Sequence, residues 1–157
     1  MGLTATVGLV GAALASGDAG WDYLQGQLDD LNALLGAAGL PAHREPEAGE
    51  ELLEVALGGY GALHRLRDAA VALGGERFDH LLLHSDHDGF YVPIPFERVL
   101  RGDAGGVGEV GSSYALRDEL ETLARSLEPG SVEAVTCAGL LEAAVASLER
   151  GALLMFA

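Results

Sequence analysis

Apolar residues, mostly leucine, recur at helical spacing in four separate stretches of this chain, and glycine or proline closes most of them. That punctuation rules out one long coiled coil and calls for short amphipathic helices that bury one stripe against something else. Leu24, Leu28, Leu31 and Leu35 predict a helix over 21–38, capped by Asp18 and stopped at Gly39-Leu40-Pro41. Leu63, Leu66, Ala70 and Leu73 predict a second over 61–74, with His64 beside the stripe. A third, over 113–127, carries Leu116, Leu120, Leu123 and Leu127 behind a Ser112 or Ser113 cap. Ser131 caps a fourth, over 132–149, with Val135, Leu141, Val145 and Leu148.

Between the helices the period changes to two. Thr4 to Val10 alternates small or polar residues with apolar ones, and Leu153 to Phe156 is a short apolar run. His80 to His84 and Phe90 to Ile94 read as two strands of a hairpin joined through Asp88-Gly89. The glycine-rich stretch Gly102 to Gly111 reads as an exposed, mobile loop. The expected architecture is α+β, one domain over 1–157, with a small, mostly antiparallel sheet and a central hairpin packed against about four helices.

Composition then limits the partners. The 157 residues carry 24 acidic and 9 basic side chains, every basic one an Arg, for a net charge of −15. Phosphate binding needs clustered basic groups, so nucleic acid is excluded as a partner. No apolar run reaches the length of a membrane span, so a membrane is excluded too. The apolar start ending in Ala13-Leu14-Ala15 imitates a signal cleavage site, but the first basic residue is Arg44, too late for a signal's basic end. With Cys137 alone no internal disulfide can form, and the expected compartment is the cytoplasm. The leading functional expectation is an acidic, immunity-like interaction domain that binds a protein partner, with its oligomeric state open.

Catalytic signatures are few. His84-Ser85-Asp86-His87-Asp88 gathers imidazole and carboxylate donors of the kind that bind zinc or a similar divalent ion. An EF-hand register with Gly89 at its sixth position puts His84 first and Pro95 twelfth, so a calcium loop of that type fails. Gly106 to Gly111 matches GxGxxG, yet Glu109 places a negative charge where a pyrophosphate would sit. Schiff-base chemistry is excluded by the absence of lysine.

Four stretches carry a resemblance to an uncharacterised family of small bacterial proteins with no assigned activity. They are the Met1-Gly2-Leu3 start with its long first helix, Leu40-Pro41-Ala42-His43-Arg44-Glu45-Pro46-Glu47, Leu63-His64-Arg65-Leu66-Arg67, and His80-Leu81-Leu82-Leu83-His84-Ser85-Asp86 running on through Gly89-Phe90-Tyr91-Val92-Pro93 to Gly111-Ser112-Ser113. The resemblance singles out His43 with Glu45, His64, and His84 with Asp86. If these converge, His43, His64, His84 and Asp86 are the ligands of a divalent, zinc-like metal, and the alternative function is a small metal-dependent hydrolase. If they do not, each serves its own loop or helix and no cofactor is implied.

Overall fold

All four stretches are helices where their spacing predicts them, and they cover a sheet assembled from both ends of the chain, but the fourth buries Cys137, Leu140, Ala143 and Ala144 in place of the expected stripe, leaving Val135 65% exposed. The computed structural model describes residues 2–16, 21–46, 53–86, 89–102 and 107–157. In chain order the elements are β1 (Gly2–Val7), α1 (Leu9–Ser16), α2 (Trp21–Ala37), β2 (Leu53–Gly59), α3 (Tyr60–Leu73), a 3-10 turn (Gly75–Phe78), α4 (Asp79–Leu82), β3 (Phe90–Val92), β4 (Leu100–Arg101), β5 (Glu109–Ser112), α5 (Ser113–Ala124), α6 (Val132–Arg150) and β6 (Leu154–Phe156). Side-chain caps set two of the helix starts: Ala115 N donates to Ser112 Oγ at 3.3 Å and Ala134 N to Ser131 Oγ at 3.1 Å. Gly151, at φ 63°, releases α6 toward β6.

The class is α+β. The strands lie in the order β2-β1-β6-β3-β5-β4, antiparallel except for the β3–β5 pair. The apolar tail at Leu154–Phe156 is therefore a central strand, inserted between β1 and β3.

Alternation along the strands splits the core in two. Leu3, Ala5 and Val7 of β1, Leu57 of β2, Tyr91 of β3 and Leu154 with Phe156 of β6 face α3, α5 and α6. Phe90 and Val92 of β3, Val110 of β5 and Leu153 face the other way, onto Val10 of α1 and Leu28, Leu31 and Leu35 of α2. The sheet is covered on both sides by helices of different chemistry.

Three sequence readings change. His80 to Leu82 is the helix α4, so the expected central hairpin is not formed; a short apolar run has no period of its own, and here a carboxylate from α5 receives its N–H groups and makes it helical. The expected exposed loop over 102–111 is a strand from Glu109 onward, with Val107, Val110 and Gly111 buried, while 103–106 lie outside the described residues. The apolar start divides into β1 and α1 because Gly8, at φ 92°, turns the chain between them. Among the described residues no helix is long and apolar enough to cross a membrane.

Gly89 tests this packing. It has φ +87°, and a Cβ there would sit 2.1 Å from the Glu109 carbonyl oxygen of β5. Gly39, at φ +74°, has nothing within 4 Å of a Cβ position. Chemical denaturation should give a loss of about 1 kcal/mol for Gly39→Ala, from backbone conformation alone. Gly89→Ala should cost about 3 kcal/mol or more, since the clash is with backbone that cannot yield.

Candidate functional site

The four sequence-selected side chains do not assemble. Among the described residues no group of three or more His, Cys, Asp or Glu is placed to hold a metal ion. His64 is exposed on α3, and His43 lies in the connector after α2, where its Nε2 meets Glu45 Oε1 at 3.4 Å. Both ring nitrogens of His84 face carbonyls, Nδ1 at 2.8 Å from Ser85 O and Nε2 at 3.0 Å from Phe90 O. Neither is open to an ion. Asp86 lies on the turn that follows, and His87 and Asp88 are outside the described residues.

These residues instead clip the fold together. Asn32 of α2 accepts from His43 N at 2.7 Å and donates to His43 O at 3.0 Å, while Glu45 accepts from Leu153 N at 3.0 Å. The connector is thus tied to α2 on one side and to the start of β6 on the other. From α3, Arg67 donates to Leu81 O at 3.0 Å and to His84 O at 2.6 Å, closing the carbonyl end of α4.

His80 is the hub of the second clip. Its Nδ1 accepts from Ser112 N at 2.9 Å, so the proton is on Nε2, which donates to Glu97 O at 2.8 Å. Burial lowers the His80 pKa, and this keeps the neutral tautomer that the two contacts require. Tyr91 Oη donates to His80 O at 2.7 Å, and the His84 ring stacks on Tyr91 at 4.0 Å. Burial lowers the pKa of His84 as well, against the two carbonyls that favour its charged form. Gly111 has to be glycine, because a Cβ would lie 2.6 Å from the Tyr91 ring.

Glu119 completes the network from α5, accepting His80 N at 2.9 Å and Leu81 N at 3.2 Å. Burial pushes its carboxyl up to about 8, against the pull of the two N–H donors. Each of these residues acts on structure, and the side chains left for solvent are the ones that can meet a partner.

Solvent meets two unlike surfaces. The layer of α3, α5 and α6 mixes charges, with Arg65, Arg67, Arg117 and Arg150 among its carboxylates. The layer of α1 and α2 has no basic residue at all, and Asp22, Asp29 and Asp30 stand exposed along α2. Gln25 Nε2 donates to Asp29 Oδ1 at 3.1 Å. On β2, Glu54 pairs with Thr6, whose neighbours Ala5 and Val7 point into the opposite core, so exposed Glu54 belongs to the α1–α2 side. Sequence reasoning missed these carboxylates, although the signal was present: residues 18–54 hold nine acidic side chains and one Arg, more than half of the net −15.

This is an acidic α+β protein with one helix layer that carries carboxylates and no arginine. The chain belongs to the family described as "Putative DNA-mimic protein", whose model matches residues 1–78 and 73–156. No curated protein and no solved structure matches it. The family overturns the expected immunity-like domain and its hydrolase alternative. The family's description also redirects the partner expectation toward proteins that bind DNA, without directly contradicting the exclusion of nucleic acid itself.

Glu119 gives this network a measurable signature. Its ordinary value is 4.5 and its folded value about 8, so between the two the folded chain keeps a proton that the unfolded chain has released. Stability should fall as pH rises through that window. Denaturation midpoints across it should decline for the parent protein and change less for Glu119→Gln, which cannot titrate at this position.

Proposed function

We propose that this protein binds a DNA-binding protein on the surface that otherwise takes DNA, presenting the α2 side as a substitute phosphate array. Membership of a DNA-mimic family carries the reading. The placement of charge supports it, since the α1–α2 layer holds Asp22, Asp29 and Asp30 with no arginine to neutralise them.

The physics of exchange is favourable. A DNA-binding surface gains most of its affinity by neutralising phosphates and releasing their counterions, with successive phosphates of one strand rising about 3.4 Å each. Asp22 and Asp29 are seven residues apart on one side of α2, about 10 Å along the axis and so close to three phosphate steps. Carboxylates fixed on a folded helix also avoid much of the ordering cost that flexible chains carry into a complex. Long-range attraction between −15 and a basic partner speeds encounter and weakens with salt.

The test is displacement. Proteins retained on DNA-cellulose from a bacterial extract should elute when this protein is added at low salt, and elution should fade as salt is raised. Replacing Asp22, Asp29 and Asp30 together by Asn should raise the concentration needed by about tenfold or more, each lost ionic contact contributing a fraction of a kcal/mol to about 1 kcal/mol. A charge-matched control, Glu121→Gln with Glu142→Gln and Glu149→Gln on α5 and α6, should elute like the parent. Failure to elute any protein contradicts the reading, and equal losses in the two triple variants contradict the role given to α2.

A further inference from the structure

The most exposed large apolar side chain among the described residues is Tyr23, 68% accessible, in the first turns of α2. Gln27 Nε2 donates to its hydroxyl at 2.8 Å, one helical turn on, so the ring is held along the helix. Asp22 precedes it, and Asp30 follows seven residues later on nearly the same helical bearing. An exposed aromatic ring among carboxylates contributes nothing to charge mimicry by itself, and burying it is unnecessary for the fold.

Elsewhere the chain uses the same ring chemistry internally. Tyr114, at the start of α5, carries the guanidinium of Arg117 over its ring at 5.4 Å from the centroid. Tyr23 has no such partner within reach of its own helix, because α2 contains no basic residue and none precedes Arg44. An aromatic face beside carboxylates selects arginine over lysine: the planar guanidinium stacks on the ring and still directs N–H groups to carboxylate oxygens, while an ammonium is a compact, strongly hydrated point charge.

Building on the DNA-mimic reading, we infer that Tyr23 is an arginine-recognition element of the α2 surface, its ring receiving a guanidinium from the partner's basic face while Asp22, one residue before it, and Asp30, two turns after it, attract the neighbouring basic groups of that face. The partner chemistry is thus arginine-rich rather than merely cationic. Aromatic anchors of this kind, flanked by polar groups, are the residues that concentrate binding energy in protein interfaces.

Two peptides of equal charge, nona-arginine and nona-lysine, test this with the purified full chain by calorimetric titration at low salt. The parent should bind nona-arginine roughly three- to fivefold more tightly than nona-lysine, the ratio expected for one exposed cation–π contact. Tyr23→Ala should bring the two affinities together, Tyr23→Phe should keep most of the preference, and Tyr114→Ala should leave it unchanged. Equal affinities in the parent, or a preference that survives in Tyr23→Ala, overturns the inference. The displacement assay on DNA-cellulose reports separately: elution without an arginine preference removes the role of Tyr23 and keeps the DNA-mimic reading, whereas a Tyr23-dependent preference without elution removes the reading and keeps Tyr23 as an arginine site.

Discussion

Strands β3 and β6 run through the middle of the sheet and have to be buried on both faces, with Tyr91 and Phe156 on one side and Phe90 and Val92 on the other. Each such side chain contributes about 1.5–3 kcal/mol when withdrawn from water, and none of it is gained unless helices cover both faces. This double cover forces the division of labour in the molecule. Polar groups that enter the interior have to be paired there, and among the described residues no buried side-chain nitrogen or oxygen lacks a hydrogen-bond partner. The remaining charge is driven to the outer sides of the two helix layers.

The buried polar groups hold the sheet centre to one layer. His80 links the N–H of Ser112 to the carbonyl of Glu97, Tyr91 reaches the carbonyl of His80, and Glu119 supports the first turn of α4. Every partner in this set is far away in the chain, so the network forms only when β3, α4, β5 and α5 are together. That dependence explains why residue types associated with catalysis gather here: they make several directional contacts in little space, and burial lowers the pKa of both imidazoles.

What could be read from the sequence follows from periodicity. Leu28, Leu31 and Leu35, or Leu116, Leu120 and Leu123, are long enough patterns to define a helix and its buried side, and those elements lie close to their expected bounds. His80 to Leu83 was too short to carry a period, and its helical form depends on Glu119, which is remote in the chain and therefore invisible to local reasoning. β2 was overlooked although its signal was present, since Leu53, Val55 and Leu57 alternate with exposed Glu54, Ala56 and Gly58 at period two. The histidines were legible as important, and the sequence left the choice between ligand and structural roles open, since it does not reveal that both nitrogens of His84 are taken by backbone carbonyls. The acidic face was legible as a count, and only the sheet's two-sidedness turned that count into a surface.

Because the α3, α5 and α6 layer mixes its charges, it offers a basic partner attraction and repulsion together. The α1–α2 layer offers attraction alone, and its carboxylates stand on a helix already fixed against the sheet by Leu28, Leu31 and Leu35. The central claim is therefore about which face meets the partner. Amide hydrogen exchange on the complex between this protein and a protein it releases from DNA tests that most directly. The account predicts new protection along α2 and, in the partner, over the segments that DNA itself protects; protection confined to α3, α5 and α6, or to a partner surface that DNA does not touch, would contradict it.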